Sequence, residues 1–197
     1  MGGTPAVPPV PTPSAATPGP HPGPTPGPSA DPAGKSAATG VPLQGKTAVL
    51  EAMAENSAVA ALRDLATDAK FDRGELTITV ARESIVAACN AVKAARYEFF
   101  EDCTAVDWYP QEPRFQIVYH ILSMSLKQRL RLVVQLNSDE AIDSITGVWP
   151  AANFYEREVF DLFGVHFGGH PGLTRIMMPE DWKGHPLRKD YPVEGYR

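Results

Sequence analysis

Cysteine is nearly absent from this chain of 197 residues: there are two, Cys89 and Cys103. Two thiols exclude a disulfide framework and a cysteine-only metal cluster, and read most simply as small buried hydrophobes in a reducing compartment. No stretch approaches the ~20 consecutive apolar residues that a bilayer-spanning helix needs. The N-terminus lacks the apolar run of a secretory signal and the Arg-rich amphipathicity of a transit peptide, so a bacterial-type cytoplasmic location is expected. Basic residues are scattered and the net charge is −5. The basic stripe of a nucleic-acid-binding protein is therefore missing. No aromatic residue precedes Phe71, and Asp31, Lys35 and Lys46 are the only charged residues before Thr47.

What the first segment does have is proline, glycine and alanine. Residues 1–46 cannot bury enough apolar surface to offset their ordering entropy, so they are expected to form a disordered tail. Its TPGPHPGPTPGP run suits a semi-extended spacer, or a ligand for an aromatic-lined groove. The remaining residues suffice for one domain with a real core, placed at 47–170, followed by an extended C-terminal arm at 171–197.

Residues 48–67 are helix-prone, with a break at Asn56-Ser57 where Ser57 is able to cap a second helix. Glu75 to Val80 alternates as a strand and pairs with a short strand around 68–72 through the turn at Phe71-Asp72-Arg73-Gly74. Ile85, Ala88, Cys89 and Val92 form the stripe of a one-sided helix over 82–95. Strands follow at 97–108, 114–123 and 128–136, the last two antiparallel through a short link. Both faces of 114–123 are apolar, so its outer face is expected to be covered by the arm or by a partner. The order predicts an α+β fold: a two-layer domain with a mixed, roughly five-stranded sheet and helices on one side.

A strongly aromatic helix runs from Pro150, which suits a first turn, to Gly164, which suits the position just past the end. Ala152, Tyr155, Val159, Leu162 and Phe163 mark its main apolar face. Arg157 and Asp161, four apart, are spaced to pair. Glu156 and Glu158 invite a catalytic reading, but two residues apart on a helix they diverge. Structural ion pairing of these carboxylates with Arg157, Arg175 or Arg188 is expected instead. His166, His170 and His185 lie near Glu180 and Asp181 without metal-ligand spacing, and read as turn-capping groups. The glycines match no phosphate loop. No catalytic, cofactor-binding or metal-binding residue is assigned.

The arm has Pro171, Pro179, Pro186 and Pro192, which exclude one long helix or a central strand. It also carries Leu173, Ile176, Met177, Met178, Trp182, Leu187, Tyr191 and Tyr196, too much apolar surface for a free tail. Spaced anchors with mixed charge suit an arm laid over a partner.

The segment GVWPAANFYEREVFDLFGVHFGGHPGLTRIMMPEDWKGHPLRKDYP, with DCTAVDWYP, RFQIVYHILS and RLRLVVQL before it, resembles the C-type subunits of NADH-quinone oxidoreductase, a family of bacterial-type hydrophilic proteins in the quinone module of respiratory complex I. The likeness spans about residues 75–191 and omits the Pro-rich tail. It implies a mixed α+β domain and a stand-alone protein rather than a fusion with the D-type subunit. It also implies a complex that passes electrons from NADH through flavin and iron–sulfur clusters in partner subunits to a quinone such as ubiquinone, coupled to proton translocation. The chain itself would hold no cofactor. Its partners would be the D-type subunit chiefly, with the B-type and I-type subunits nearby. It would sit peripherally on the cytoplasmic side of the bacterial inner membrane, touching the membrane only through the complex, with no nucleic acid. On the same resemblance, Glu156, Arg157, Glu158, Asp161, Arg175, Arg188, Lys189, Asp190 and Tyr191 are fold or interface residues. Two competing readings are the equivalent subunit of a related membrane-bound hydrogenase or other-donor quinone reductase, and a metal-dependent hydrolase using His166, His170 and a Glu.

Overall fold

The computed structural model describes residues 42–196; the expectation for the tail therefore falls outside the described residues, except at its end. There, Leu43–Gln44 forms β1, pairing antiparallel with the next strand through Leu43 and Phe71. This strand lies within the segment 1–46 that the sequence assigns to the tail. α1 (Lys46–Ala52) and α2 (Ser57–Leu62) follow. Asn56, not Ser57, caps α2: its side-chain oxygen accepts the N–H groups of Ala58 and Val59 at 2.9 and 3.3 Å. Such a cap is worth about 1 kcal/mol. The Ser57 hydroxyl instead donates to the Ala95 carbonyl at 3.1 Å, tying α2 to the end of the next helix.

β2 (Ala66–Asp72) and β3 (Glu75–Val80) form the expected hairpin. Its two-residue turn places Arg73 and Gly74 at φ 52° and 82°, the doubly positive geometry that matches strand twist. α3 (Ile85–Ala94) buries Ile85, Ala88, Cys89 and Val92 completely, as its stripe predicts. β4 (Phe99–Asp107), β5 (Phe115–Ser123) and β6 (Gln128–Leu136) form an antiparallel meander. β6 then pairs parallel with β3, giving a mixed six-stranded sheet in the order β1-β2-β3-β6-β5-β4.

One face of that sheet makes the core. Ile78, Ile117, Ile121 and Leu132 meet Val49, Leu62, Ile85 and Val92 from the helices, all at 0 % exposure. Each such side chain contributes about 1.5–3 kcal/mol of burial, and Leu132→Ala would cost about 2–5 kcal/mol. On the opposite face Thr79, Val133, Val118 and Thr104 lie in one cross-strand row. The arm's hydrogen bonds fall on α4 and on the ends of β4 and β5, so the arm does not cover this face by those contacts.

β7 (Ile142–Asp143) pairs parallel with β8 (Phe167–Gly168), flanking α4 (Ala152–Phe163). Pro150 lies two residues ahead of α4 rather than within it, its carbonyl accepting the Asn153 N–H at 3.2 Å. Gly164 ends the helix at φ 75°, its N–H returning to the Phe160 carbonyl at 2.8 Å. After β8 the described chain contains no helix or strand. No helix among the described residues is long and apolar enough to cross a membrane.

Candidate functional site

The two acidic residues of the helical triplet separate as their spacing demands. Glu156 is fully buried and Glu158 exposed. The expected pairing of Glu156 with an arginine is not formed. Its carboxylate accepts the Ser144 hydroxyl at 2.6 Å and the Ile145 N–H at 2.7 Å, so it braces the loop after β7 against α4. Burial pushes its pKa up, and those two hydrogen bonds oppose the rise.

Arg157 and Asp161 do not pair either. Arg157 reaches forward to the arm, donating to the carbonyls of Thr174 and Arg175 and to the Thr174 hydroxyl. Asp161 is fully buried and captures the arm itself. One carboxylate oxygen accepts three successive N–H groups, from Ile176, Met177 and Met178, at 3.0, 2.8 and 2.8 Å. The other accepts Arg175 Nη1 at 2.7 Å. Burial alone would raise the Asp161 pKa, but these four donors outweigh it and hold it below the usual carboxylate value. A helical i, i+4 ion pair is a surface device; three aligned amide dipoles and a guanidinium give a buried carboxylate far more.

Further along, Arg175 Nη2 donates to the Gly184 carbonyl, and His185 Nδ1 lies 2.9 Å from the Asp161 carbonyl. Burial keeps the His185 pKa below its ordinary value. Arg188 donates to the Phe163 carbonyl, an orphan acceptor at the C-terminus of α4, where a cation also meets the helix dipole favourably. His185 and Arg188 pack over Gly164: a Cβ there would lie 2.5 Å from both side chains.

The second anchor contains residues that sequence reasoning missed. Asp107, at the end of β4, and Arg114, just before β5, form a buried two-point pair. Arg114 also holds Asp190 of the arm at 2.6 Å, and Asp107 accepts the Lys189 N–H at 2.8 Å. Burial of Asp107 works against its charge, but Arg114 and the N–H groups of Lys189 and Tyr109 prevail and bring its pKa to about 2. The available signal is an acid and a base bracketing a proline-containing loop, D-W-Y-P-Q-E-P-R. Tyr191, the last of the family-signature positions, donates its hydroxyl to the Lys183 carbonyl at 3.3 Å.

The histidines do not converge. His166 sets its ring edge-on to Phe160, whereas His170 lies 3.3 Å from the Asn153 carbonyl and 3.9 Å from the Glu156 carboxylate. His170 Nδ1 accepts the Gly172 N–H, which assigns its proton to Nε2. Among the described residues no three His, Cys, Asp or Glu side chains are grouped to hold a metal ion. Cys89 and Cys103 are buried, and burial raises both thiol pKa values strongly, which suppresses thiolate chemistry.

The arm therefore turns much of its polar equipment inward. Its outward side carries Ile176, Met177, Trp182, Leu187 and Tyr196, all exposed, with Phe154 of α4 also exposed at 61 %. A surface of this kind offers apolar anchors on a backbone held by buried polar contacts.

Known proteins are similar to this chain in sequence and in fold. The C-type subunit of the NADH-quinone oxidoreductase of Citrifermentans bemidjiense is 46% identical over 150 residues, covering 73% of this chain and 93% of the relative. That of Geobacter metallireducens is 51% identical over 153 residues, covering 73% and 93%. A chain in the structure of the membrane-bound sulfane sulfur reductase, an archaeal respiratory membrane complex, matches with a TM-score of 0.62 at 27% identity, covering 71% of this chain and 86% of that one. The family model for the respiratory-chain NADH dehydrogenase 30 Kd subunit matches residues 78–197, from within β3 through the arm. With the fold and these likenesses in agreement, the chain belongs to the respiratory-chain NADH dehydrogenase 30 Kd subunit family.

Proposed function

We propose that this chain is a non-catalytic docking subunit of a proton-translocating NADH:quinone oxidoreductase. Its arm, from residue 171 onward, lies against the quinone-reducing D-type subunit, with the B-type and I-type subunits nearby. Electron transfer then runs through flavin and iron–sulfur clusters in other subunits, and this chain sets the geometry of their assembly. It sits peripherally on the cytoplasmic side of a bacterial inner membrane. The observation that carries this reading is the division of labour in the arm. Asp161, Arg175, Arg188 and Asp190 hold it to its own domain, while Met177, Trp182 and Leu187 remain outward. Ordering the arm in advance removes part of the entropy cost of binding. Glu156, a candidate acid or base by sequence, is fully buried and engaged in bracing a loop, which suits a structural role.

Mild-detergent pull-down of the full chain followed by mass spectrometry tests the reading. The D-type, B-type and I-type subunits should copurify together with NADH-binding subunits. Recovery of the chain alone would sink it. The likeness to a chain of an archaeal sulfane sulfur reductase complex supports a second reading, the equivalent position in a complex with another electron donor. Copurification of D-like and B-like partners without NADH-binding subunits would select that reading.

A further inference from the structure

The end of the arm folds back on itself and leaves a cleft of about 240 Å³. Asp181, Trp182, Lys183, Tyr191, Glu194 and Tyr196 line it. Two turns build it. The Trp182 N–H returns to the Pro179 carbonyl at 3.1 Å, and the Gly195 N–H to the Pro192 carbonyl at 2.9 Å, which brings Tyr196 back beside Tyr191. The two tyrosine rings meet edge to face, with centroids 5.2 Å apart and planes at 87°. They close on Gly184 at φ 79°, where a Cβ would lie 2.8 Å from both rings. Glycine is thus required there by backbone conformation and by contact together.

The chemistry of this lining is specific. Aromatic faces present negative potential to a cation, and a ring pair at right angles offers walls of two orientations. Asp181 and Glu194 add two carboxylates against the single ammonium of Lys183. Among the described residues neither carboxylate is engaged in an ion pair. Trp182 and Tyr196 are exposed at 40 % and 59 %, so the cleft is reachable. Anions are disfavoured by the net negative lining. A purely apolar occupant would leave the carboxylates desolvated without compensation.

We infer that this cleft receives a cationic side chain, arginine or lysine, from a neighbouring protein of the complex. The inference rests on the docking role proposed above and adds the chemistry that the partner presents. Arginine suits the site better, because its flat guanidinium stacks on an aromatic ring while its N–H groups reach carboxylates. Central aromatic and arginine contacts are also the common energetic anchors of protein interfaces.

The test uses the full chain in the detergent-solubilised complex. A photo-crosslinking amino acid placed at Tyr196 should, on illumination, join a segment of another subunit within a residue or two of an arginine or lysine. In parallel, Trp182→Leu and the double charge reversal Asp181→Lys with Glu194→Lys should weaken retention in the complex by about tenfold. Trp182→Phe should stay close to wild type. Circular dichroism of each variant verifies that the fold is kept. A crosslink to an acidic or wholly apolar segment, or undiminished retention of the charge-reversed chain, overturns the inference while leaving the docking role intact. A wild-type chain that fails to copurify with any other subunit overturns both.

Discussion

Asp107 and Arg114 face each other across the loop 108–113, with Nε to Oδ1 and Nη2 to Oδ2 both at 2.9 Å. The pair closes the end of the β4–β5 hairpin. Because Arg114 also grips Asp190 and Asp107 accepts the Lys189 N–H, it fastens the arm to the sheet as well.

Asp107→Asn should therefore lower stability by about 3 kcal/mol, the low end for breaking a buried pair, since Asp190 still faces the guanidinium. The arm should loosen around Lys189. Urea unfolding measures the first effect and amide exchange the second. A loss well under about 1 kcal/mol would mean that the pair is not a structural anchor.

Asp161→Ala should strip the amides of Ile176, Met177 and Met178 of their common acceptor. Hydrogen exchange at these three positions should speed up by at least about tenfold, while amides of β5 and β6 stay protected. Unchanged protection would show that the arm is held by other contacts.

Acid should release the arm before it unfolds the sheet. Asp107, Asp161 and Asp190 all have lowered pKa values in the fold. Their stabilisation is present above the ordinary aspartate value of 3.8 and is lost as pH falls through the lowered values, which for Asp107 is about 2. Glu156 behaves oppositely: its pKa is raised, so ionisation costs stability as pH climbs above its ordinary 4.5. Glu156→Gln should gain on wild type in thermal midpoint as pH rises above 4.5. A constant difference across that rise would contradict the assigned cause.

Tyr119 is fully buried, and its hydroxyl has no hydrogen-bond partner among the described residues. Removing an unsatisfied polar atom relieves its desolvation penalty. Tyr119→Phe should leave stability unchanged or raise it by up to about 1 kcal/mol, read from chemical denaturation. A clear loss would reveal a bridging group at that hydroxyl.

The elements legible in the sequence are those whose pattern is local. Phe115 to Ser123 and Gln128 to Leu136 alternate, and the stripe from Ile85 to Val92 has helical spacing, so their positions follow from period alone. β1 escapes because Leu43-Gln44 is too short to carry a period and lies in a Gly/Pro neighbourhood. At Asp161 the helical spacing points to the nearest arginine, four residues away. Its true partners begin fourteen residues on, at Arg175, and three of them are backbone groups with no side-chain signature. The charge of Glu156 calls for a cation, yet a hydroxyl and an amide satisfy it. Asp107 and Arg114 lie in stretches that carry the family likeness, but no local period pairs them; the register of β4 on β5, with Asp107 opposite Phe115, brings them together.

The parallel seam between β3 and β6 has a consequence for how this chain folds. On either side of it every strand pairs with its neighbour in sequence: β1, β2 and β3 as one antiparallel unit, β4, β5 and β6 as another. Only the seam, Leu76 on Leu130 through Thr79 on Val133, demands that the whole α3–β4–β5 excursion be closed into a ring. That closure carries the largest loop entropy in the sheet. We expect it to limit the folding rate, so that Ile78→Val slows refolding in stopped-flow experiments. If Ile78→Val leaves the refolding rate untouched, the two halves join after the barrier, and an N-terminal unit added late is the better description.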